Sequence, residues 1–159
     1  MKTVAVVGPP GSGKTLIATS LAIYLHLASA KAVYIDRSIT KAGSHLLKDY
    51  VPLAADLDEA ADMGAHYAVI DAAPNDVPPA DVYVVVLEPQ DTKRFKQFRE
   101  GVHIVVNKVS KWSLSGIPFD SRIHWATQVG IPPVISEMKG FERTRRRIVR
   151  AVKEIADGL

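Results

Sequence analysis

The sequence contains a glycine-rich stretch, Gly8-Pro9-Pro10-Gly11-Ser12-Gly13-Lys14-Thr15, which is the strongest indication of the fold. It follows the apolar, β-branched run 3–7 and leads directly into the apolar residues 16–18. The pattern therefore predicts a strand, a glycine-rich turn and the start of a helix, which is the order that a phosphate-binding loop requires. The spacing G-x-x-x-x-G-K-T of that motif is complete.

Each residue type in this loop has a chemical reason to be there. The glycines permit positive φ, so the loop can turn its N–H groups towards a polyphosphate, and the start of the following helix adds partial positive charge. We expect Lys14 to reach the β- and γ-phosphates and the Thr15 hydroxyl to ligate Mg²⁺. The other predicted nucleotide-binding residues of the loop are Gly8, Pro9, Pro10, Gly11, Ser12 and Gly13.

Length and composition restrict the class of protein. The 159 residues fit one nucleotide-binding domain, 1–159, which is long enough to bury a core without disulfides. The sequence has no cysteine, which excludes disulfides and cysteine-ligated zinc and agrees with a cytoplasmic location. No segment approaches the roughly 18 consecutive apolar residues of a transmembrane helix, so none is predicted.

Apolar runs alternate with helical segments along the chain. The runs are nearly continuous and rich in β-branched residues, which is typical of parallel strands covered on both faces. We therefore predict an α/β, three-layer P-loop fold with a mainly parallel central sheet of about six strands flanked by helices. The predicted strands are 4–7, 32–35, 67–70, 82–87 and 102–106, with a weaker sixth at 134–135. The predicted helices are 14–29, 44–49, 54–63, 92–99, 121–129 and 140–157.

Polar residues follow several of these strands, at the sheet edge where α/β proteins bind ligands. Asp71 ends an apolar run in the Walker B pattern, so it is a candidate to hold Mg²⁺ together with Thr15. Asp36 ends the second strand and would supply a further outer-sphere oxygen. Together with Lys14 these two carboxylates form the predicted catalytic set, although either aspartate would also serve to cap the loop after its strand.

The fifth strand ends in Asn107-Lys108-Val109-Ser110, which is similar to the base-reading N-K-x-D of GTP-binding proteins. A carboxylate at the fourth position would pair with the N–H donors of guanine, and Ser110 cannot do so bidentately. Adenine is therefore preferred, with Asn107 and Lys108 as predicted nucleotide-binding residues. The alternative for Asn107 is a turn residue that ends the strand.

Six motifs together resemble the ParA/MinD group of partition and positioning ATPases. They run in the same order as in that group, over nearly the whole chain: 8–15, Tyr34-Ile35-Asp36, Val69-Ile70-Asp71-Ala72-Ala73-Pro74, Val84-Val85-Val86-Leu87-Glu88-Pro89, Val105-Val106-Asn107-Lys108 and Gly116-Ile117-Pro118-Phe119-Asp120. The resemblance implies ATP and Mg²⁺ as cofactors. It also implies an ATP-dependent homodimer that encloses the nucleotide and dissociates after hydrolysis.

Two positions depart from the group's pattern. Pro9 occupies the place of the signature lysine that reaches the partner's nucleotide, and Ser38 occupies the place of a second acid that orients the attacking water. Because such a cation supplied in trans raises the rate greatly, hydrolysis is expected to be slow. Arg37 and the basic cluster 143–147 are candidates to replace the missing cation.

The excess positive charge lies at the end of the chain. Residues 136–159 hold seven Lys and Arg side chains against four carboxylates, which accounts for the whole net charge of +3. On a helical wheel the apolar residues share one face, and the opposite face carries Arg143, Arg146, Arg147 and Arg150. This face is predicted to bind DNA without sequence preference, to contact an anionic membrane surface, or to be simply solvated, and DNA is preferred over the membrane because the apolar face is expected to pack against the sheet. The residues Lys93, Arg94, Lys96 and Arg99 are candidates to extend it.

The sequence thus favours a cytoplasmic, Mg·ATP-binding switch protein that hydrolyses ATP slowly and acts in partitioning or positioning DNA or another cargo. The expected partners are ATP or ADP, a second copy of the chain, and DNA. Two alternatives remain. One is a degenerate nucleotide-binding scaffold without turnover, and the other is a small-molecule phosphotransferase.

Overall fold

The computed structural model describes residues 1–28, 30–74, 76–95 and 101–159. Within these residues the strands number six: β1 (Lys2–Val7), β2 (Ala32–Asp36), β3 (Tyr67–Asp71), β4 (Val82–Leu87), β5 (Val102–Val109) and β6 (Ile117–Pro118). The helices are α1 (Lys14–Leu27), α2 (Ala42–Leu47), α3 (Leu57–Asp62), α4 (Ser121–Gln128) and α5 (Glu142–Asp157). Short 3₁₀ turns lie at Thr92–Phe95 and Pro133–Ile135.

All strand pairs are parallel, and the sheet order is β2-β3-β1-β4-β5-β6. The central strand β1 pairs with β3 on one side and with β4 on the other, so the loop that follows it opens at the middle of the sheet edge. Helices pack on both faces of the sheet. The predicted three-layer α/β P-loop fold with a parallel central sheet of about six strands is therefore confirmed.

Most of the core lies on the face of the sheet covered by α1 and α5. Helix α1 is buried nearly all round because it packs on the sheet and contacts α2 and α5. The amphipathic prediction for the last helix is confirmed, since Phe141, Ile148 and Val152 are fully buried while its arginine-rich face points outward. A smaller cluster between α3, β2 and β3 fills the opposite face.

The predicted sixth strand at 134–135 is wrong. The chain forms a 3₁₀ turn there, because Pro132 and Pro133 lack the N–H donors that a strand needs. The sixth strand is instead the two-residue β6, which pairs only with Asn107 and Val109 of β5. Its shortness, with a proline as its second residue, explains why periodicity did not indicate it.

The helices agree with the predictions in place and differ at their ends. Helix α2 begins at Ala42, two residues earlier than predicted. Helix α3 begins at Leu57, three residues later than predicted. In the predicted helix 92–99 the chain forms a 3₁₀ turn over Thr92–Phe95, and residues 96–99 lie outside the described residues, as does Ser29 at the end of the first predicted helix.

Candidate nucleotide site

The glycine-rich loop 8–15 connects β1 to α1 at the carboxyl edge of the sheet. Gly8, Gly11 and Gly13 have φ values of 152°, 75° and 97°, as the sequence predicts. These conformations curl the backbone into an open cradle at the first turn of α1, where unpaired N–H groups favour an anion.

Two of these glycines also make contacts that leave no space for a side chain. A Cβ at Gly8 would lie 2.3 Å from the carbonyl oxygen of Val86, and a Cβ at Gly13 would lie 2.1 Å from Nδ2 of Asn107. The Asn107 amide donates a 2.8 Å hydrogen bond to the carbonyl oxygen of Ser12. The ends of β4 and β5 therefore fix the shape of the loop.

Lys14 lies at the mouth of the cradle and is only 8% exposed. Its Nζ donates hydrogen bonds of 3.0 Å to the carbonyl oxygens of Gly8 and Pro9, so its charge is directed over the loop. Burial lowers the pKa of Lys14, and the nearby carboxylate of Asp71 opposes that shift. The side chain is thus a buried cation with only neutral carbonyl partners, which a phosphate oxygen would replace favourably.

Asp71 is fully buried at the end of β3, directly beside the first turn of α1. Its Oδ2 accepts hydrogen bonds from the Thr15 hydroxyl at 2.7 Å and from the Tyr34 hydroxyl at 3.1 Å. Its Oδ1 is buried and has no hydrogen-bond partner among the described residues. Burial raises the pKa of Asp71 to about 6, although both hydroxyl donors and the Lys14 charge lower it.

This arrangement fits a magnesium ion. Mg²⁺ is normally held by one or two carboxylates together with phosphate oxygens and water, not by a cage of protein ligands. The unpartnered oxygen of Asp71 and the hydroxyl of Thr15 supply the required oxygen chemistry beside the phosphate cradle. Among the described residues no group of three or more His, Asp or Glu side chains forms a separate metal site.

Asp36 has a different set of contacts. Its Oδ1 accepts from the backbone N–H and the hydroxyl of Ser38, and its Oδ2 accepts from the N–H of Ser44 at 2.8 Å. The carboxylate therefore holds the turn that leads into α2, which is the loop-capping role that the sequence left open. Its participation in magnesium binding stays a prediction.

Two of the candidate cations have partners in the structure. Arg37 forms a surface ion pair with Asp76, with 3.0 Å between Nε and Oδ2. Lys108 forms one with Glu88, with 2.6 Å between Nζ and Oε1, and this contact lowers the pKa of Glu88. Neither side chain points freely into the cradle.

Three cavities adjoin the loop, and one of them, of about 480 Å³, is lined by Gly8, Pro9, Ala73 and Pro74. The other two lie nearer Lys14 and Asn107. A cavity of about 350 Å³ is lined by the loop, Asp71 and the exposed turn 38–40. A cavity of about 490 Å³ lies beyond Gly13. Its wall combines the apolar side chains Leu16, Pro118, Phe119 and Ile123 with the polar side chains Asn107, Lys108, Asp120 and His124. The cavity beside Lys14 fits a polyphosphate with its metal, and the cavity beyond Gly13 fits a flat aromatic ring.

Two side chains of this region were not predicted as site residues from the sequence. Phe119 lies beside the cavity beyond Gly13 and is 69% exposed, and only the resemblance to a family motif pointed to its segment. Tyr34 contacts Asp71 from the neighbouring strand. Its position two residues before Asp36 in β2 was the available signal, because β2 and β3 pair in register.

The basic face of α5 lies away from the loop. Arg143, Arg146 and Arg150 are exposed to solvent. Arg147 is partly buried and donates hydrogen bonds to the carbonyl oxygens of Ser113 and Leu114. Of the four arginines predicted to bind nucleic acid, Arg147 therefore has a structural role in holding the segment before β6.

Among the described residues, no helix has both the length and the apolar composition needed to cross a membrane.

No protein-family model matches the chain, and no curated protein matches it. Solved structures do. MinD cell division protein of Aquifex aeolicus is 15% identical with a TM-score of 0.70, covering 99% of this chain and 98% of that one. A chain of the MinC:MinD cell division protein complex of the same organism is 13% identical with a TM-score of 0.70, and the match covers 99% of this chain and 96% of that one.

The septum site-determining protein MinD of Pyrococcus horikoshii OT3, complexed with Mg-ADP, is 15% identical with a TM-score of 0.67, covering 97% of this chain and 95% of that one. In all three cases the superposition extends over nearly the whole of each chain. The chain therefore has the fold of the MinD structures.

Proposed function

We propose that this protein is a cytoplasmic, Mg·ATP-binding nucleotide switch of the ParA/MinD type, with slow ATP hydrolysis. The observation that carries the proposal is the juxtaposition of Lys14, Thr15 and Asp71 at a preformed glycine cradle. A buried cation, a hydroxyl and a carboxylate with an unpartnered oxygen are the three groups that a magnesium–triphosphate needs.

In this proposal the loop N–H groups and Lys14 bind the β- and γ-phosphates, while Thr15 and Asp71 hold the magnesium ion. When bound there, the ion would supply positive charge to the phosphate oxygens. Water attacks the γ-phosphorus, the bond to the β–γ bridging oxygen breaks, and ADP and phosphate are the products. Pro9 offers no cation and Arg37 is paired with Asp76, and both features favour slow turnover.

Adenine is the base that the cavity beyond Gly13 fits best. Phe119 and Pro118 would contact the ring face, and Ser110 offers no carboxylate for the guanine N–H donors. Asn107 already donates to Ser12, and its Oδ1 is buried without a hydrogen-bond partner among the described residues. That oxygen is a candidate acceptor for the adenine amino group.

A nucleotide-dependent homodimer is part of the proposal. The MinD of Pyrococcus horikoshii was solved with Mg-ADP, and one Aquifex aeolicus structure is a MinC:MinD complex. By analogy, the exposed rim of this site would contact a second copy, and a further protein would recognise one nucleotide state. Partitioning or positioning of a cargo is the role that such a switch would serve.

Sedimentation velocity tests the switch, with separate detection of protein and nucleotide absorbance. We expect ADP and a nonhydrolysable ATP analogue to sediment with the protein in the presence of Mg²⁺, and the ATP analogue to give the faster boundary. The corresponding GTP analogue should bind at least about tenfold more weakly, the effect of one unpaired polar contact.

The other outcomes separate the alternatives. Equal boundaries with ADP and the ATP analogue, both bound, would favour a scaffold that binds nucleotide without switching. Transfer of the γ-phosphate from ATP to an acceptor other than water would favour the phosphotransferase. If the nucleotide sediments separately from the protein, at the rate of free nucleotide, the proposal as a whole would be contradicted.

The exposed face of α5 supports a second part of the proposal, binding to DNA without sequence preference. Arg143, Arg146 and Arg150 point into solvent along one side of the helix, and none of them forms an ion pair among the described residues. Side chains in this state would contact phosphates without reading bases. Of the predicted extension, Lys93 and Arg94 lie in the 3₁₀ turn Thr92–Phe95, whereas Lys96 and Arg99 lie outside the described residues.

The double charge reversal Arg143→Glu with Arg146→Glu is expected to weaken binding to random-sequence duplex DNA at least about tenfold. It should also reduce the slope of log K against log salt by about two, because two phosphate contacts are lost. Arg147 is left intact because it holds the segment before β6. Fluorescence anisotropy over a salt series measures both quantities.

The matched control carries the same change of net charge at two exposed lysines elsewhere, Lys31→Glu with Lys48→Glu. If both double variants lose the same DNA affinity, the loss would be explained by the change in net charge and not by the α5 face. Undiminished binding by the α5 variant would show that the helix face is only solvated.

A further inference from the structure

Tyr34 is a fully buried tyrosine whose hydroxyl reaches the carboxylate of the candidate magnesium site. It lies on β2 in register with Val69 of β3, so its side chain shares a face with Asp71 two residues further along. The hydroxyl lies 3.1 Å from Oδ2 of Asp71, to which it donates.

The backbone of α2 fixes this hydroxyl from the other side. A Cβ placed on Gly43 would lie 1.8 Å from the tyrosine oxygen and 2.6 Å from the ring carbon that bears it. The helix therefore packs directly against the hydroxyl, and only glycine allows that approach. The strand itself is held by the 3.0 Å hydrogen bond from the Tyr34 N–H to the carbonyl oxygen of Pro52.

The two oxygens of Asp71 are consequently unlike. Oδ2 accepts from both Thr15 and Tyr34, whereas Oδ1 accepts from none of the described residues. Two donors on one oxygen fix the rotation of the carboxylate. If the Thr15 hydroxyl held a metal ion instead, the Tyr34 hydroxyl would be the donor that remains on Oδ2.

We propose that Tyr34 is a positioning residue, which holds Asp71 by Oδ2 so that Oδ1 stays directed at the magnesium ion of the bound nucleotide. The inference rests on the proposed function. It adds that the position of α2 affects the metal site, because Gly43 confines the Tyr34 hydroxyl and the neighbouring Ser44 N–H donates a hydrogen bond to Asp36. A shift of the turn 36–44 would therefore change how well Asp71 accepts the metal.

The test is the magnesium dependence of nucleotide affinity in Tyr34→Phe, which keeps the ring in the core and removes only the hydroxyl. The affinity for a nonhydrolysable ATP analogue is measured by calorimetry in excess Mg²⁺ and again in EDTA. We expect affinity in magnesium to fall about tenfold, the effect of one hydrogen bond to a charged group, and affinity in EDTA to stay within about twofold.

Tyr83→Phe is the matched control. Its hydroxyl also hydrogen-bonds, to the carbonyl oxygen of Pro78 and the N–H of Ala80, but it does not contact Asp71. A merely structural tyrosine would lower affinity equally with and without magnesium, and that result would overturn the inference. Unchanged affinity in Tyr34→Phe, or an equal magnesium-specific loss in Tyr83→Phe, would also overturn it.

Gly43→Ala gives an independent test, since it keeps the tyrosine and displaces its hydroxyl. It should reproduce the magnesium-specific loss, and combining it with Tyr34→Phe should add little to either single change. A Gly43→Ala protein that folds and binds with full magnesium dependence would contradict the link to α2. Failure of the wild-type protein to bind the analogue would overturn the proposed function itself, whereas normal wild-type binding with an unaffected Tyr34→Phe would overturn only this inference.

Discussion

In the nucleotide-free protein, the difference in stability between Asp71→Asn and wild type is expected to grow in favour of the variant by about 2 kcal/mol from pH 4 to pH 7. The folded wild-type protein holds a buried carboxyl group whose pKa is raised from 3.8 to about 6. The unfolded chain ionises that group near the ordinary value. Between the two values the folded state binds more protons than the unfolded state, so wild-type stability falls as pH rises.

The sign of this effect separates it from ordinary acid unfolding. Below about pH 4 the carboxyl group is protonated in both states and contributes no difference, whereas above about pH 6 the full penalty of a buried charge is present. Asparagine keeps an acceptor for Thr15 and Tyr34 but cannot ionise. The stability difference between variant and wild type should therefore grow through this window and then become constant.

Urea unfolding at pH 4, 5, 6 and 7 in the presence of EDTA measures the difference. Asp58→Asn, at an exposed position in the first turn of α3, is the control for loss of a carboxylate. A difference between Asp71→Asn and wild type that stays flat from pH 4 to pH 7 would show that Asp71 is not buried as described.

Lys14→Ala is expected to weaken binding of Mg·ATP at least about 100-fold. The lysine supplies the cationic donor of the cradle, and charge-assisted hydrogen bonds to phosphate are among the strongest in proteins. Removing two such bonds, each with a net value of about 1.5 kcal/mol, corresponds to that loss of affinity. The freed carbonyl oxygens of Gly8 and Pro9 line the cradle, so they would then face the triphosphate and repel it.

Much of the fold follows from local sequence patterns. The strands β1 to β5 are nearly continuous apolar runs, and their ends place the polar residues on one edge of the sheet whatever the details of the loops. The glycine pattern likewise predicts the positive φ values of Gly8, Gly11 and Gly13, because the motif constrains the backbone itself. These features depend on neighbours in the sequence, so they can be predicted from it.

The contacts of individual side chains depend on tertiary structure and could not be predicted in this way. The roles of Asp36 and Arg147 depend on a turn and a loop whose shape is set by packing, and each holds backbone groups that periodicity does not indicate. The pairing of Tyr34 with Asp71 requires β2 to lie beside β3 and α2 to approach within contact of the hydroxyl. A sequence pattern gives neither the distance between Tyr34 and Asp71 nor the distance between α2 and the Tyr34 hydroxyl.

The central claim is that the loop 8–15 binds Mg·ATP through Lys14, and one calorimetric titration tests it most directly. A nonhydrolysable ATP analogue is titrated with Mg²⁺ into the wild-type protein, into Lys14→Ala and into the control Lys48→Ala, which changes an exposed lysine at the end of α2. We expect one analogue to bind per chain in the wild-type protein and in the control, with affinity at least about 100-fold lower in Lys14→Ala. No binding by the wild-type protein, or equal binding by Lys14→Ala, would contradict the claim.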